Sequence, residues 1–460
     1  MLRLEDAIGF EIPADIEAAC LKNLHWCFDN PDDLMLQPLD VQYLKSNGQP
    51  HKPEFELHSC REALMALDVH ARFRGSRWAA RQGRLTLETI SRIFRDDGTW
   101  DYDKVQYVKH LEQPVRVLHP TTTHGRTLEG VMWFYLATGD PLAMQVGERL
   151  ARYHMTRTIQ DDGGMDDHDT PTHTHSYLGT LRGLLMYGEL TNQRRYVDAV
   201  YRTYQNTVLN RIIKPSGWTN HDIDKDTKPE TTSAGDVAQL ALWLSRHGYP
   251  ELLDDVERIV RARLLPCQVT EKFEARPGEH ASEDQAREVG RWFLGALGGC
   301  HGEPHGGKVG TTDITAAVLH TLIDVYQNIV LKRPAGLTVQ FHLDYEDEDL
   351  RLESQRSDKA TVTVALKRPH NLLIRVPAWA PPQSVRFTTA GRTLTATMLD
   401  NFAYFARDQI GDTLVMTYDL PTHTTEETTD GTTYVCHWRG DEITGISPNA
   451  DYLPFYPTAP

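Results

Sequence analysis

Four stretches of this 460-residue chain concentrate side chains that can move protons, bind metals or hold sugars. Asp161-Asp-Gly-Gly-Met-Asp-Asp-His-Asp-Thr-Pro171 runs into Thr172-His-Thr-His-Ser176 and supplies Asp166, Asp167, His168, His173 and His175. The stretch Ser216 to Asp236 supplies Trp218, His221, Asp222, Asp224, Glu230 and Asp236. Gly298-Gly-Cys-His-Gly-Glu-Pro-His-Gly-Gly-Lys308 adds Cys300, His301, Glu303 and His305, and His124-Gly-Arg126 forms a fourth edge. Hydrolysis of a glycosidic bond needs two carboxylates, or a carboxylate and another nucleophile, across that bond. Glu230 with Asp222 or Asp224 is the pair on offer. Elimination from a uronate or another small metabolite instead needs a base beside the carboxylate and a group that holds the enolate. His175 and His221 could be that base and acid, with Arg126 or a metal on the carboxylate. Cys300, His301 and His305 place three candidate zinc ligands within six positions, although Cys-His-x-x-x-His is no standard zinc spacing. Trp218 and Trp292 offer stacking faces, and His124, Arg126 and His173 offer polar contacts to a substrate.

Each of these residues also has a plain structural use. His173 and His175 sit where a helix begins and could cap it, since the positive end of a helix disfavours imidazolium and favours anions. Glu230 and Asp236 flank another helix start, where the macrodipole favours carboxylates. Cys300 could be a small buried hydrophobe, and the tryptophans could be core. His154 follows a helical pattern and reads as structural.

Something must hold these loops in place, and up to about Pro334 the pattern is helical. Leu178, Leu181 and Leu185 recur at helical spacing after Ser176. Helices are expected from Ile16 to Phe28, from Cys60 to Phe73, and through Leu142, Val146 and Leu150. Thr138-Gly-Asp-Pro141 stops one helix and starts the next. Further pairs run Tyr196–Leu209, Val237 to Leu244 with Leu252–Leu265, and Thr312–Leu331. Antiparallel helix pairs on short turns fit an α/α toroid or a solenoid. Long irregular loops at 155–175, 211–235 and 266–311 favour a closed barrel with its loops gathered at one mouth.

Beyond Pro334 the period becomes two. Leu337, Val339, Phe341 and Leu343 alternate, as do Val362, Val364 and Leu366, and Leu414, Met416, Tyr418 and Leu420. Turn signals separate the runs at the spacing of a β-sandwich. The expected architecture is an α+β multidomain chain: an (α/α)6-type helical barrel over 1–334, then a β-sandwich over 335–460 whose tail from Asn449 is irregular.

Composition narrows the function. With 48 basic and 64 acidic residues the net charge is −16, which makes nucleic acid a poor partner. No apolar run is long enough to span a bilayer, and the N-terminus lacks the features of a signal peptide. Six scattered cysteines without a CxxC pair suggest reduced thiols and a cytoplasmic home. A small-molecule or oligosaccharide substrate is expected, no membrane partner, and a homodimer is left open.

Pro229-Glu-Thr-Thr-Ser-Ala-Gly-Asp-Val-Ala-Gln-Leu-Ala-Leu-Trp-Leu244, Leu253 to Arg261, and Leu372-Leu-Ile-Arg-Val-Pro-Ala-Trp-Ala380 together resemble the β-L-arabinofuranosidase-type glycoside hydrolases of family 127. The similarity runs from about residue 55 to 440. It implies a glycoside hydrolase with an α/α-barrel, a β-sandwich and a zinc ion held by a Glu-Thr-Cys motif and a later cysteine doublet. One thiolate of the doublet is the family's nucleophile, and a glutamate about 16 residues before the motif is its acid/base. Glu230 and Thr231 match, but Thr232 stands where the first cysteine should be. Cys300 matches one member of the doublet, with Gly299 or His301 at the other place, and no glutamate lies near Lys214. His221 and Asp222 are the nearest titratable groups. The resemblance therefore implies a glycoside hydrolase-like enzyme with a rearranged site. A lyase or dehydratase using histidine acid/base chemistry is the first alternative, and a non-catalytic carbohydrate-binding protein is the second.

Overall fold

The computed structural model of the chain describes residues 1–36, 59–105, 119–166, 172–227, 229–271, 294–298 and 312–459. Trp292, Cys300, His301 and His305 lie outside the described residues, as do Asp167 and His168. The chain divides into two compact units, Met1–Ile212 and Ile213–Pro460.

The first unit is helical. Its α-helices are α1 (Leu2–Ile8), α2 (Ala14–Cys27), α3 (Ser59–Arg74), α4 (Arg77–Ile93), α5 (Thr127–Thr138), α6 (Pro141–Arg157), α7 (Thr174–Leu190) and α8 (Arg194–Thr203). The stop-and-start at Thr138–Pro141 has a physical cause in each residue. Gly139 closes α5 in the left-handed conformation at φ 67°, where a side chain would be strained. Asp140 then caps α6 by accepting the Leu142 N–H at 2.9 Å, and Pro141 opens the helix. Wide π-helical turns at Thr121–Gly125 and Tyr204–Ile212 extend α5 and α8.

Helix α7 is buried from Thr174 to Gly188 and so cannot be an ordinary amphipathic surface helix. Small residues let it approach α5. A Cβ at Gly183 would fall 2.7 Å from the Glu129 backbone nitrogen. One at Gly179 would fall 3.1 Å from the Arg61 guanidinium.

Among the described residues the second unit joins three α-helices, α9 (Thr231–Ser245), α10 (Leu253–Ile259) and α11 (Thr312–Gln327), to the strands. Helix α9, like α7, is buried along its length, from Thr231 to Leu244. The strands are β1 (Val330–Arg333), β2 (Gly336–Val339), β3 (Tyr345–Glu346), β4 (Leu350–Arg356), β5 (Lys359–Leu366), β6 (Leu372–Arg375) and β7 (Arg386–Thr389). They continue with β8 (Arg392–Leu394), β9 (Thr397–Leu399), β10 (Phe402–Phe405), β11 (Thr413–Asp419), β12 (Thr422–Thr429), β13 (Thr432–Arg439) and β14 (Glu442–Ser447). They form sheets ordered β1-β2-β6-β10-β9, β3-β4-β5-β11-β7-β8 and β12-β13-β14. Alternation sets the register: Leu414 pairs with Val364 and Met416 with Val362, and all four are buried.

The helix-to-strand change falls between Gln327 and Val330. The compact units divide earlier, at Ile212/Ile213, because α10 is tied to the strands by buried ion pairs. Arg375 at the end of β6 donates to both Asp254 and Glu257 of α10. An apolar cluster of Trp218, Ala262, Tyr434, Cys436, Trp438, Ile443, Ile446 and Tyr456 binds the same helical segment to the third sheet and to the tail. No helix among the described residues is long and apolar enough to cross a membrane.

Candidate functional site

In the first unit, charged side chains from three helices meet at the α5–α7 contact. Glu129 of α5 is fully buried and accepts two parallel bonds from Arg182 of α7, at 3.0 and 2.8 Å. Such a forked pair is among the stronger ways to keep a charge out of water. Arg61 of α3 lies at the centre. Its Nη1 reaches Glu129 at 3.4 Å and its Nε reaches Glu62 Oε1 at 3.0 Å. Its Nη2 contacts His175 Nε2 at 2.8 Å. A guanidinium can only donate, so His175 Nε2 must accept and the imidazole is neutral with its proton on Nδ1.

Arg126, at the start of α5, donates its Nη2 to the same Glu62 oxygen. Burial alone would raise the Glu62 pKa, but the Arg126 and Arg61 guanidiniums outweigh it and hold the carboxyl at about 2. Glu62 is thus an anion at any ordinary pH. Burial, and then the neighbouring Arg61, lowers the Arg126 pKa.

His173 is half-buried at the N-cap position of α7, with its Nδ1 2.9 Å from the Ser176 hydroxyl. Its ring centroid is 6.0 Å from that of His175. His124 corrects the sequence expectation. It is fully buried, and both ring nitrogens are committed. Nε2 donates to the Gly98 carbonyl at 2.9 Å, and Nδ1 accepts from His154 Nε2 at 3.0 Å. His154 Nδ1 accepts in turn from Thr158 at 2.7 Å. With its ring enclosed by Phe94, Trp100 and Tyr153, His124 has no face or nitrogen left for a substrate.

In the second unit, Glu230 is buried at the N-cap position of α9. Its backbone is pinned to Thr219 by two hydrogen bonds, of 3.0 and 2.8 Å, and its Oε2 accepts from the Ser233 hydroxyl at 3.4 Å. The adjacent Thr231 hydroxyl donates to the Gly298 carbonyl and accepts from Arg263 at 2.9 Å. His221 and Asp222 form a partly exposed pair, Nδ1 to Oδ1 3.4 Å. Asp236 is buried on α9. Trp218 is the second correction. It is 1% exposed, stands edge-on to Tyr434 and donates to the Tyr456 hydroxyl, so it is core and presents no face to a sugar.

The zinc-binding motif implied by the family resemblance can be tested at two positions. Glu230 supplies a carboxylate, but Thr232 supplies a neutral hydroxyl where zinc needs a thiolate. That motif does not fit the metal. Sequence reasoning missed Arg61, Glu62, Glu129 and Arg182. A signal for two of them was present: Glu129 and Arg182 are lone charges in apolar helical runs, and a buried charge requires a partner.

No protein-family model and no curated protein sequence matches the chain. Solved structures show its fold to be glycoside hydrolase family 127-like. It is similar to a GH127 β-L-arabinofuranosidase from Geobacillus stearothermophilus T6, with TM-score 0.59 and 14% identity, over 96% of this chain and 75% of that one. It is also similar to a structure described as a glycoside hydrolase, with TM-score 0.56 and 13% identity, over 96% of this chain and 76% of that one. At these identities the likeness is one of fold, and it agrees with the resemblance read from Pro229–Leu244 and Leu372–Ala380.

Proposed function

We propose that this chain is a carbohydrate-active enzyme of the glycoside-hydrolase kind, an α/α-barrel followed by a β-sandwich, acting on an oligosaccharide or glycoside. The observation that carries the reading is the fold likeness to a β-L-arabinofuranosidase, which extends over 96% of the chain. The local chemistry is compatible with it. Glu230 is a buried carboxylate at a helix start, and we assign it the first catalytic role. Asp222, paired with His221, is the second acid/base candidate. His175, held neutral by Arg61, could pass a proton, and His173 could contact substrate. Should the protein bind zinc, Glu230 with Cys300 and His301 or His305 are the candidate ligands.

The test is turnover of a panel of aryl glycosides and oligosaccharides by the wild type and by Glu230→Gln, with and without a chelator. The variant is expected to lose about 100-fold or more in kcat, the scale of a missing acid/base group. A variant as active as the wild type removes Glu230 from catalysis. Loss of activity on chelation, restored by zinc, would make Glu230 a ligand instead. Binding of sugars without turnover of any of them would favour a binding protein over an enzyme.

A further inference from the structure

Two polar atoms of one ion pair in the first unit have no partner among the described residues. Arg126 is 7% exposed and uses Nη2 on Glu62, yet its buried Nε–H donates to nothing. Glu62 spends Oε1 on Arg61 and Arg126 together, yet its buried Oε2 accepts from nothing. An unpaired buried N–H or carboxylate oxygen costs about 1–3 kcal/mol or more, so native proteins rarely keep one without a use. Here a donor and an acceptor are left side by side. The other charges in the cluster give no relief, because Glu129 is engaged by Arg182 and Arg61.

A glycine sets the packing beside this pair: a Cβ at Gly179 would stand 3.1 Å from Arg61 Nη1 and 3.3 Å from Arg126 Cβ, so only a glycine lets α7 come this close to both arginines. Glu62 keeps 39% of its side chain exposed, which puts the pair near the surface although Oε2 itself is covered.

The chemistry of the vacant atoms selects the ligand. Arg126 calls for an acceptor, preferably an anion, because two guanidiniums share one Glu62 oxygen. Glu62 Oε2 calls for a donor within a few ångströms of that anion. A phosphate would satisfy the arginine but, with close to two negative charges, would be repelled by Glu62 more strongly than a singly charged carboxylate. An amine would satisfy Glu62 and be repelled by the arginines. A carboxylate with a neighbouring hydroxyl satisfies both. We propose that Arg126 and Glu62 form a recognition site for a sugar acid, Arg126 holding the carboxylate and Glu62 Oε2 accepting from an adjacent hydroxyl. The sugar part of this assignment rests on the carbohydrate reading above; the carboxylate part does not.

Calorimetric titration of the full chain with glucuronate, glucuronamide and acetate tests it, because the amide keeps the shape of the acid and removes its charge. Glucuronate is expected to bind roughly tenfold or more tightly than the amide, the effect of a charge-assisted bond. Arg126→Gln should abolish that preference, and Arg126→Lys, which keeps the charge without the planar fork, should retain part of it. Equal binding of acid and amide overturns the proposal, as does a preference that survives Arg126→Gln, or no binding of glucuronate at its highest soluble concentration. Acetate binding as tightly as glucuronate overturns the sugar part. If Arg126→Gln does not fold, the acid–amide comparison on the wild type and on Arg126→Lys still decides. Turnover of neutral glycosides that depends on Glu230, without a preference for glucuronate, would overturn this inference alone. A preference lost in Arg126→Gln, with no glycoside turned over, would sustain it and overturn the hydrolase reading.

Discussion

Glu62 in the first unit and Glu257 in the second are both glutamates gripped by a pair of arginines, and they differ in what is left over. Glu257 is 1% exposed. Its Oε1 accepts from Arg261 at 2.9 Å, its Oε2 accepts from Arg375, and the His342 backbone N–H is shared between the two oxygens at 3.2 and 3.3 Å. Arg375 donates further to Asp254 and to the Gln340 carbonyl. His342 is equally committed, with Nε2 donating to the Arg375 carbonyl and Nδ1 accepting from Tyr418. Arg375 ties α10 to β6, and the His342 backbone ties it to the segment between β2 and β3. Around Glu62 one oxygen is used and the other is not. A saturated network holds elements together, whereas one with spare atoms is suited to hold something else.

The largest expected effect follows from the saturated side. Glu257→Ala would leave Arg261 and Arg375 buried without their carboxylate, which costs about 3–5 kcal/mol when a buried pair loses one member. Urea unfolding should show that loss, or the variant should fail to accumulate in folded form. A loss below about 1 kcal/mol would mean that Glu257 and Glu62 are not different in kind.

Next in size is the response to acid, which separates histidines from carboxylates. Burial lowers the pKa of His124 and of His342 to about 3, and that of His154 well below its ordinary value. The unfolded chain takes up the protons of His124 and His342 near pH 6.5 while the folded chain refuses them until about pH 3, and His154 shifts in the same direction. Stability therefore falls as pH drops through that window and levels off below it, by on the order of a few kcal/mol per histidine. The ionised Glu62 adds its own loss only below about pH 4.5, toward 2. Unfolding free energies between pH 7 and 4 should already decline above pH 5, and His124→Asn should flatten that decline. A flat profile down to pH 5 would contradict the enclosed His124–His154 chain.

How much of this was legible in the sequence depended on how local the cause was. The Thr138–Pro141 turn, the helix beginning near His173 and the alternating strands β5 and β11 follow from neighbours in sequence, and the structure has them where the pattern puts them. Helix α4 has a weak apolar pattern because Gln82, Thr86 and Thr89 stand in its buried face, and the π-helical turns carry no local signature. Trp218 reads equally as core or as a stacking face because its neighbours are polar, while Tyr434 and Tyr456, which bury it, lie more than two hundred positions away. Arg375 was noticed as part of a motif, but its purpose became visible only with Asp254 and Glu257 beside it. The Arg61–Glu62–Arg126 grouping likewise needs three-dimensional contact between α3 and the start of α5.

The smallest expected effect on stability is that of Glu62→Gln, and it bears most directly on the comparison. The amide keeps an oxygen for Arg61 and Arg126 but places an NH2 donor where Oε2 stood. Because the Glu62 side chain is 39% exposed, the lost charge is partly screened and the cost should stay within about 1 kcal/mol. The acid limb below about pH 4.5 should become shallower, since the carboxyl held at about 2 no longer titrates. A ligand that relied on Oε2 as acceptor would then meet a donor, so the preference for a hydroxyl beside the carboxylate should be lost while the fold persists. Measured side by side with Glu257→Ala, the pair should show opposite profiles: large loss of stability at one glutamate, small loss at the other. If Glu62→Gln instead unfolds the chain as readily as Glu257→Ala, then Glu62 is a structural tie like its counterpart, and the idle oxygen has no binding role to explain it.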